Sequence, residues 1–221
     1  AESAAEALRA LGRRAAVLRA DLLSEAETAA LLPRAAEALG APITCLVNNA
    51  SIFEHDDIGS ATKESWDRHL GSNLRAPFVL TQALAAGAPE AGADAEGLPV
   101  ASALVVNMID QRVWKPTPEF MTYSLAKAGL WWFTRTAAQA LAPRVRVAAL
   151  GPGPTLQGDR QSAAHFARQR GATPLERGSS LADMRAGLSF LLEADGFTGQ
   201  MLAVDGGQHL AWRTPDVLGV E

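Results

Sequence analysis

Short apolar runs alternate along the chain with longer stretches whose apolar residues recur at helical spacing. The short runs are Ala15–Ala20, closed by Asp21; Ile43–Val47, stopping at Asn48-Asn49; Ala103–Met108; Val145–Leu150, ending in Gly151-Pro152-Gly153-Pro154; and Met201–Val204, followed by Asp205-Gly206-Gly207. Continuous rather than alternating apolarity is the pattern of strands buried on both faces. The helical stretches are Glu2–Leu11, closed by Gly12; Ser24–Leu39; Thr62–Ala86; Met121–Leu141; Gln161–Arg170; and Leu181–Leu192. Ser24 with Glu27 reads as a capping box, Thr62 and Ser65 as cap candidates, and Pro77 as a kink or break in the third helix. Gly87–Pro99, rich in Ala, Gly and Pro with scattered acids, reads as a surface loop.

Strands alternating with helices predict an α/β fold built on a doubly wound, Rossmann-like parallel sheet. In such sheets ligands bind beyond the carboxyl ends of the strands. The residues to watch are therefore Asp21, Asn48 to Ser51, Asn107 to Asp110, and Gly151 to Thr155.

Composition narrows the function classes. The 221 residues, 48% of them hydrophobic, suffice for a single domain, 1–221, and do not require two. A net charge of −4, with no cluster of Lys and Arg, offers nucleic acid no electrostatic footing. No apolar run approaches the ~18 residues that span a bilayer, and Ala1 to Ala10 has no signal-peptide core. A cytoplasmic protein without a membrane partner is expected. Cys45, the single cysteine, excludes an internal disulfide and is expected to be an inert core thiol.

Tyr123 is the only tyrosine, and Lys127 shares its helical face four residues on. A free phenol titrates near ~10; a neighbouring ammonium would lower that value and suit the group to proton transfer. The spacing alone is also that of an ordinary surface pair. It stands, however, in a series: Asn48-Asn49-Ala50-Ser51 after a strand, Asn73 in the next helix, a strand ending at Asn107, Tyr123-Ser124-Leu125-Ala126-Lys127, then Gly151-Pro152-Gly153-Pro154-Thr155 and Val204-Asp205-Gly206-Gly207.

In order and spacing this series closely resembles the short-chain dehydrogenase/reductase family, from about Arg14 to Gly207. The resemblance implies a nicotinamide-dependent oxidoreductase. Asp21 would hydrogen-bond the adenine, and Asn48, Ala50 and Ser51 would line the cofactor ribose and phosphates. Asn73 would hold a water in a proton relay, and Tyr123 would be the general acid or base. Lys127 would bind the nicotinamide ribose and lower the Tyr123 pKa, while Pro152, Gly153 and Thr155 would contact the nicotinamide end. The Gly-Pro-Gly turn suits a close backbone approach to a ligand. The family's habits also imply a homo-tetramer or homo-dimer, through the helix face around Leu130, Trp131 and Phe133 and an apolar tail from His209 to Val220.

Two departures matter. The family opens with a strand, a glycine-rich phosphate loop, a helix and a second strand, a lead-in of roughly 30 to 40 residues that this sequence does not contain. The expectation is an N-terminally truncated chain that binds dinucleotide poorly as written, with NADP preferred over NAD by analogy. Ala148 also stands where the family often has Asn.

The other departure is Asp110. It lies thirteen residues before Tyr123, where most of the family has a serine that binds a substrate carbonyl. A carboxylate would repel an oxygen gaining negative charge; it suits a substrate with N–H donors or a ring nitrogen to be protonated. With the Asn-Asn-Ala-Ser-Ile-Phe stretch at Asn48 to Phe53, it makes Asn107–Lys127 resemble pteridine reductases and the bacterial dihydromonapterin reductases. That resemblance implies NADPH as cofactor and a dihydropterin or dihydrofolate type of substrate, stacked between Phe53 and the nicotinamide, with Asp110 and Tyr123 as the acid pair. One alternative is a generic dehydrogenase of ketones, alcohols or 3-oxoacyl thioesters, with Asp110 capping a turn. Another is a catalytically impaired binding protein.

Glu54-His55-Asp56-Asp57 reads as a solvated loop rather than a metal cluster, and His69, His165 and His209 have no ligand spacing. No metal is expected. The absence of a Gly-x-Ser-x-Gly elbow weakens hydrolase readings.

Overall fold

A computed structural model describes residues 1–158 and 161–214. In chain order its elements are α1 (Glu2–Ala10), α2 (Glu25–Leu39), β1 (Cys45–Asn48), α3 (Lys63–Leu70), a π-helical turn (Gly71–Arg75), α4 (Ala76–Gly87), β2 (Gly92–Ala93), β3 (Pro99–Val100), β4 (Ala103–Met108), α5 (Met121–Leu141), β5 (Val145–Pro152), α6 (Ala163–Gly171), α7 (Leu181–Glu193) and β6 (Met201–Val204). Short 3₁₀ turns occupy Gln111–Val113 and Gln208–Leu210.

The main sheet runs β1-β4-β5-β6 with every neighbouring pair parallel. Parallel pairs need crossover connections, and the helices supply them. On one face Val105, Val145 and Val147 pack with Leu32 of α2, Leu80 and Leu84 of α4, and Ala137 and Ala138 of α5. On the other, Leu104, Val106, Ala148 and Leu150 pack with Leu191 of α7. Fully buried side chains such as Val105 and Val147 each contribute about 1.5–3 kcal/mol of apolar transfer. The core therefore rigidifies β4 and β5, whose carboxyl ends carry Asp110 and the Gly-Pro-Gly turn. No helix among the described residues is long and apolar enough to cross a membrane.

Several local expectations are corrected. Ala15–Ala20 lies in no sheet, because an apolar run becomes a strand only beside a hydrogen-bonding neighbour. Cys45 is exposed rather than core. It and Val47 lie in register with Leu104 and Val106, hence on the α7 face, but α7 packs against β5 and β6 and leaves them uncovered. Gly87–Pro99 contains a small hairpin, β2–β3, whose turn is held by Asp94 Oδ1 accepting the Glu96 and Leu98 amides at 2.9 Å each. The third helix divides at the π turn, and Pro77 falls in the first turn of α4, where its missing N–H costs no bond. Thr62 and Ser65 form a reciprocal capping box. Ser24 caps α2, but the Glu27 carboxylate accepts the Asp21 amide at 2.9 Å rather than that of Ser24.

Candidate active site

The site is assembled at the amino end of α5, where a side chain from a distant loop does the capping. Phe120, in the cap position, has a left-handed backbone (φ 55°) and no capping side chain. Asp56, from the loop after β1, serves instead: Oδ1 accepts the Thr122 amide at 3.1 Å, and Oδ2 accepts the Thr122 hydroxyl. Negative charge is favourable at a helix amino terminus. Burial works against that charge, but the Thr122 bonds hold the carboxyl below its usual range. His69, fully buried, accepts the Glu54 amide on Nε2 at 3.1 Å and meets Thr122 Oγ1 with Nδ1 at 2.7 Å. An acceptor Nε2 puts the proton of a neutral imidazole on Nδ1; burial lowers the His69 pKa.

The expected solvated loop is thus corrected at Asp56, which is 2% exposed. Its neighbours do face water: Glu54 pairs with Arg68 at 2.7 Å, and Asp57 accepts the Gly59 and Ser60 amides. Among the described residues no group of three His, Cys, Asp or Glu could hold a metal ion.

Asn73 sits buried in the π turn, a form of helix enriched at functional sites. Its Oδ1 accepts the Ile52 amide and its Nδ2 donates to the Ile52 carbonyl, both at 2.8 Å. That clamp fixes the segment bearing Phe53 and takes one donor and one acceptor of the side-chain amide, leaving one of each.

Tyr123 and Asp110 meet directly: the phenol donates to Asp110 Oδ2 at 2.9 Å. Asp110 Oδ1 accepts the Arg112 amide at 2.9 Å, so one carboxylate oxygen meets the phenol and the other caps the turn. Burial first, and the Asp110 carboxylate second, push the Tyr123 phenol well above its usual pKa. The Lys127 Nζ donates to the Met108 carbonyl at 2.8 Å and stands 5.7 Å from the Tyr123 ring centroid. Burial also brings Lys127 itself down to about 8, with Asp110 opposing.

Aromatic side chains wall the pair. Phe53 stacks on Phe120 at 4.3 Å with an interplanar angle of 8°, and meets the Tyr123 ring edge-on at 4.7 Å. The Arg112 guanidinium lies over both phenylalanines, 5.0 Å from Phe120 and 5.8 Å from Phe53. Phe120 and Arg112 are not picked out by the sequence; the only signals were an aromatic just before the helix and a cation two residues after Asp110.

The positions read as cofactor contacts differ in what they now do. Asn48 donates to Asn107 Oδ1 at 2.8 Å, and Asn107 donates to Thr134 Oγ1 at 2.9 Å. Asn48 Oδ1 is buried and has no hydrogen-bond partner among the described residues. A spare acceptor at the carboxyl end of β1 fits a sugar hydroxyl, and Lys127 brings donors to the same end of the sheet. Ala50 and Ser51 are exposed in the loop beyond. At Gly153 a Cβ would stand 2.6 Å from Asp205 Cα, so packing against the end of β6 by itself requires a glycine there. Pro152 closes β5, and Thr155 donates to the Gly153 carbonyl at 3.0 Å. Asp21 lies in the loop entering α2, with Oδ1 on the Leu23 amide.

Comparison with known proteins agrees with this architecture. A family model described as enoyl-(acyl carrier protein) reductase matches residues 1–209. The structure of FolM alternative dihydrofolate reductase 1 from Brucella suis, in complex with NADP, superposes with a TM-score of 0.89 at 43% identity, covering 98% of this chain and 83% of that one. Pteridine reductase 1 of Leishmania tarentolae is 31% identical, covering 75% of this chain and 62% of that protein. Galactitol 2-dehydrogenase of Agrobacterium fabrum is 28% identical, with 91% and 82% covered. With the parallel sheet and the Tyr123–Lys127 helix in place, and a family match over nearly all the described residues, the chain belongs to the short-chain dehydrogenase/reductase family.

Proposed function

We propose that the protein is an NADPH-dependent reductase that saturates a C=N bond in a reduced pteridine of the dihydropterin or dihydrofolate type. The observation that carries this reading is the 2.9 Å hydrogen bond from Tyr123 to Asp110, a carboxylate in direct contact with the proton donor. An anionic oxygen beside the donor disfavours a carbonyl substrate, whose oxygen gains negative charge. It favours a ring that presents N–H donors. The Brucella and Leishmania relatives, a dihydrofolate reductase crystallised with NADP and a pteridine reductase, support the same direction.

Asn48, Lys127 and the Pro152–Thr155 turn, with Asp21, Ala50 and Ser51, would hold NADPH, which when bound would supply the hydride. This chain's residues do the rest. The Tyr123 phenol, kept protonated by burial and by Asp110, gives its proton to the ring nitrogen. Asp110 accepts substrate N–H groups and orients the ring, and Phe53 offers an aromatic face for stacking. Asn73 keeps Phe53 in place through Ile52. We also take the working protein to be a cytoplasmic homo-oligomer.

A second reading has one observation in its favour: Asp110 caps the Gln111–Val113 turn, and turn-capping needs no pterin. The substrate would then be a ketone or 3-oxoacyl thioester. Assays with NADPH on dihydropterins, dihydrofolate and simple ketones, alongside Asp110→Ser, separate the two. The pteridine reading expects turnover of the dihydropterins and a loss on the order of 10² in Asp110→Ser. Good turnover of ketones, none of dihydropterins and a neutral Asp110→Ser would overturn it.

A further inference from the structure

Proton donation by Tyr123 creates an electrostatic difficulty that the acid pair cannot solve alone. When the Tyr123 O–H bond breaks and an N–H bond forms on the substrate, the electron pair stays on Tyr123 Oη. A phenolate then stands 2.9 Å from the Asp110 carboxylate, in a position 6% exposed. Two like charges at that separation need a nearby cation.

The charged and titratable groups facing Tyr123 are Asp110, Arg112, Lys127 and the His69 ring, 6.2 Å away. His69 is spent on Glu54 and Thr122. Lys127 points at the Met108 carbonyl. Arg112 is different: its Nε lies 3.9 Å from Asp110 Oδ2, the oxygen that accepts the Tyr123 hydrogen bond. It is held from several sides. Nη1 donates to Thr117 Oγ1 at 3.0 Å, the backbone amide binds Asp110 Oδ1, and the guanidinium rests over Phe120 and Phe53. Only about 20% of the side chain is exposed. Phe120, whose ring centroid lies 5.0 Å from that guanidinium, itself takes a left-handed backbone (φ 55°), uncommon for a bulky residue.

We propose that Arg112 is a positioning residue for the acid pair: a fixed cation, held on the Phe53–Phe120 stack, that offsets the negative charge left on Tyr123 and Asp110 after proton donation. This rests on the reading of Asp110 and Tyr123 as the acid pair, but not on the identity of the substrate. A guanidinium remains charged throughout the working pH range, so Arg112 cannot itself deliver the proton. Its charge already opposes the upward push that burial and Asp110 exert on the phenol.

The test uses the fact that Tyr123 is the only tyrosine. In protein carrying ¹³C-labelled tyrosine, one ring resonance reports its ionisation without substrate or cofactor. Asp110→Asn is expected to move the transition to lower pH. In that background, Arg112→Met is expected to move it back up, and Arg112→Lys to leave it near its parent. Where Arg112→Met fails to fold, Arg112→Gln takes its place. In turnover, with whichever substrate is reduced, Arg112→Met is expected to lose about tenfold in kcat, a fraction of the ~10² to 10⁴ that the acid itself supplies, and Arg112→Lys to recover most of it. A Tyr123 transition unmoved by Arg112→Met, or a lysine variant indistinguishable from the methionine one, would overturn the assignment. Failure of dihydropterins as substrates leaves the resonance experiment intact and overturns only the substrate reading.

Discussion

Tyr123, the proposed proton donor, sits in a setting that its spacing from Lys127 alone does not suggest. An i,i+4 lysine predicts a phenol eased toward ionisation. The folded protein buries both groups and sets a carboxylate against the phenol, so Tyr123 is held protonated. Tyr123→Phe should lower turnover by a factor on the order of 10² or more; a Phe variant with full turnover would remove Tyr123 from the mechanism. His69 makes a second residue-scale prediction. Its pKa is lowered by burial, so above about pH 6.5 both folded and unfolded states are neutral and its contribution is whole. As pH falls below that value the unfolded chain takes up a proton that the folded chain refuses, and stability is lost down through the folded pKa. The Tm advantage of wild type over His69→Asn should therefore shrink between about pH 7 and pH 5. An advantage constant with pH would mean that His69 does not titrate as its burial implies.

At the scale of elements, the sequence is most legible where periodicity is long and caps are local. The expected bounds of α5 and β6 match those found, and α7 runs one residue further. The joints between elements were hidden. In the Thr62–Ala86 pattern only Pro77 signals a division, and the π turn, Gly71–Arg75, lies just before it, with Asn73 of that turn bonded to Ile52. Gly153 is another such joint. A methyl group there meets backbone, 2.6 Å from Asp205 Cα and 2.8 Å from Asp205 O, and neither end of β5 nor of β6 can yield cheaply. Gly153→Ala should cost roughly 3 kcal/mol, a fall of about 6–12 °C in Tm for a chain of this size, measured by thermal unfolding. A fall of a degree or less would show that the β5–β6 ends give way easily.

For the whole molecule, the apolar surface on the helices beside the site is the main unexplained feature. Trp132 on α5 is 66% exposed, Trp66 on α3 48% and Phe78 on α4 38%. A groove of about 530 Å³ runs along α3, the π turn and α4, lined by Trp66, Leu70, Leu74 and Phe78 among others. Large exposed aromatics on packed helices mark an association surface. Sedimentation equilibrium at micromolar concentration should give a multiple of the 23.2 kDa chain mass, reduced to the monomer by Trp132→Glu. A wild type that sediments as a monomer would count against the homo-oligomer. This is not the face expected from the sequence: Leu130 is buried and Trp131 and Phe133 pack into the same core cluster, while the tail expected beside them, His209 to Val220, lies partly outside the described residues.

By itself the sequence determined the α/β class, the parallel sheet, the helix holding Tyr123 and Lys127, and the strand ends at which the candidate site lies. These follow from patterns within one or two turns of chain, where each residue's preference is set by its immediate neighbours. Tertiary structure decided everything that depends on what packs against what. It buried Asp56 as a remote cap for α5 and left Cys45 exposed where α7 does not reach. It gave the close approach at Gly153 to Asp205, and it brought Asp110, Arg112, Phe53 and Phe120 around one phenol. Burial and charge act through space rather than along the chain, so the protonation state of Tyr123 could be settled only by the fold.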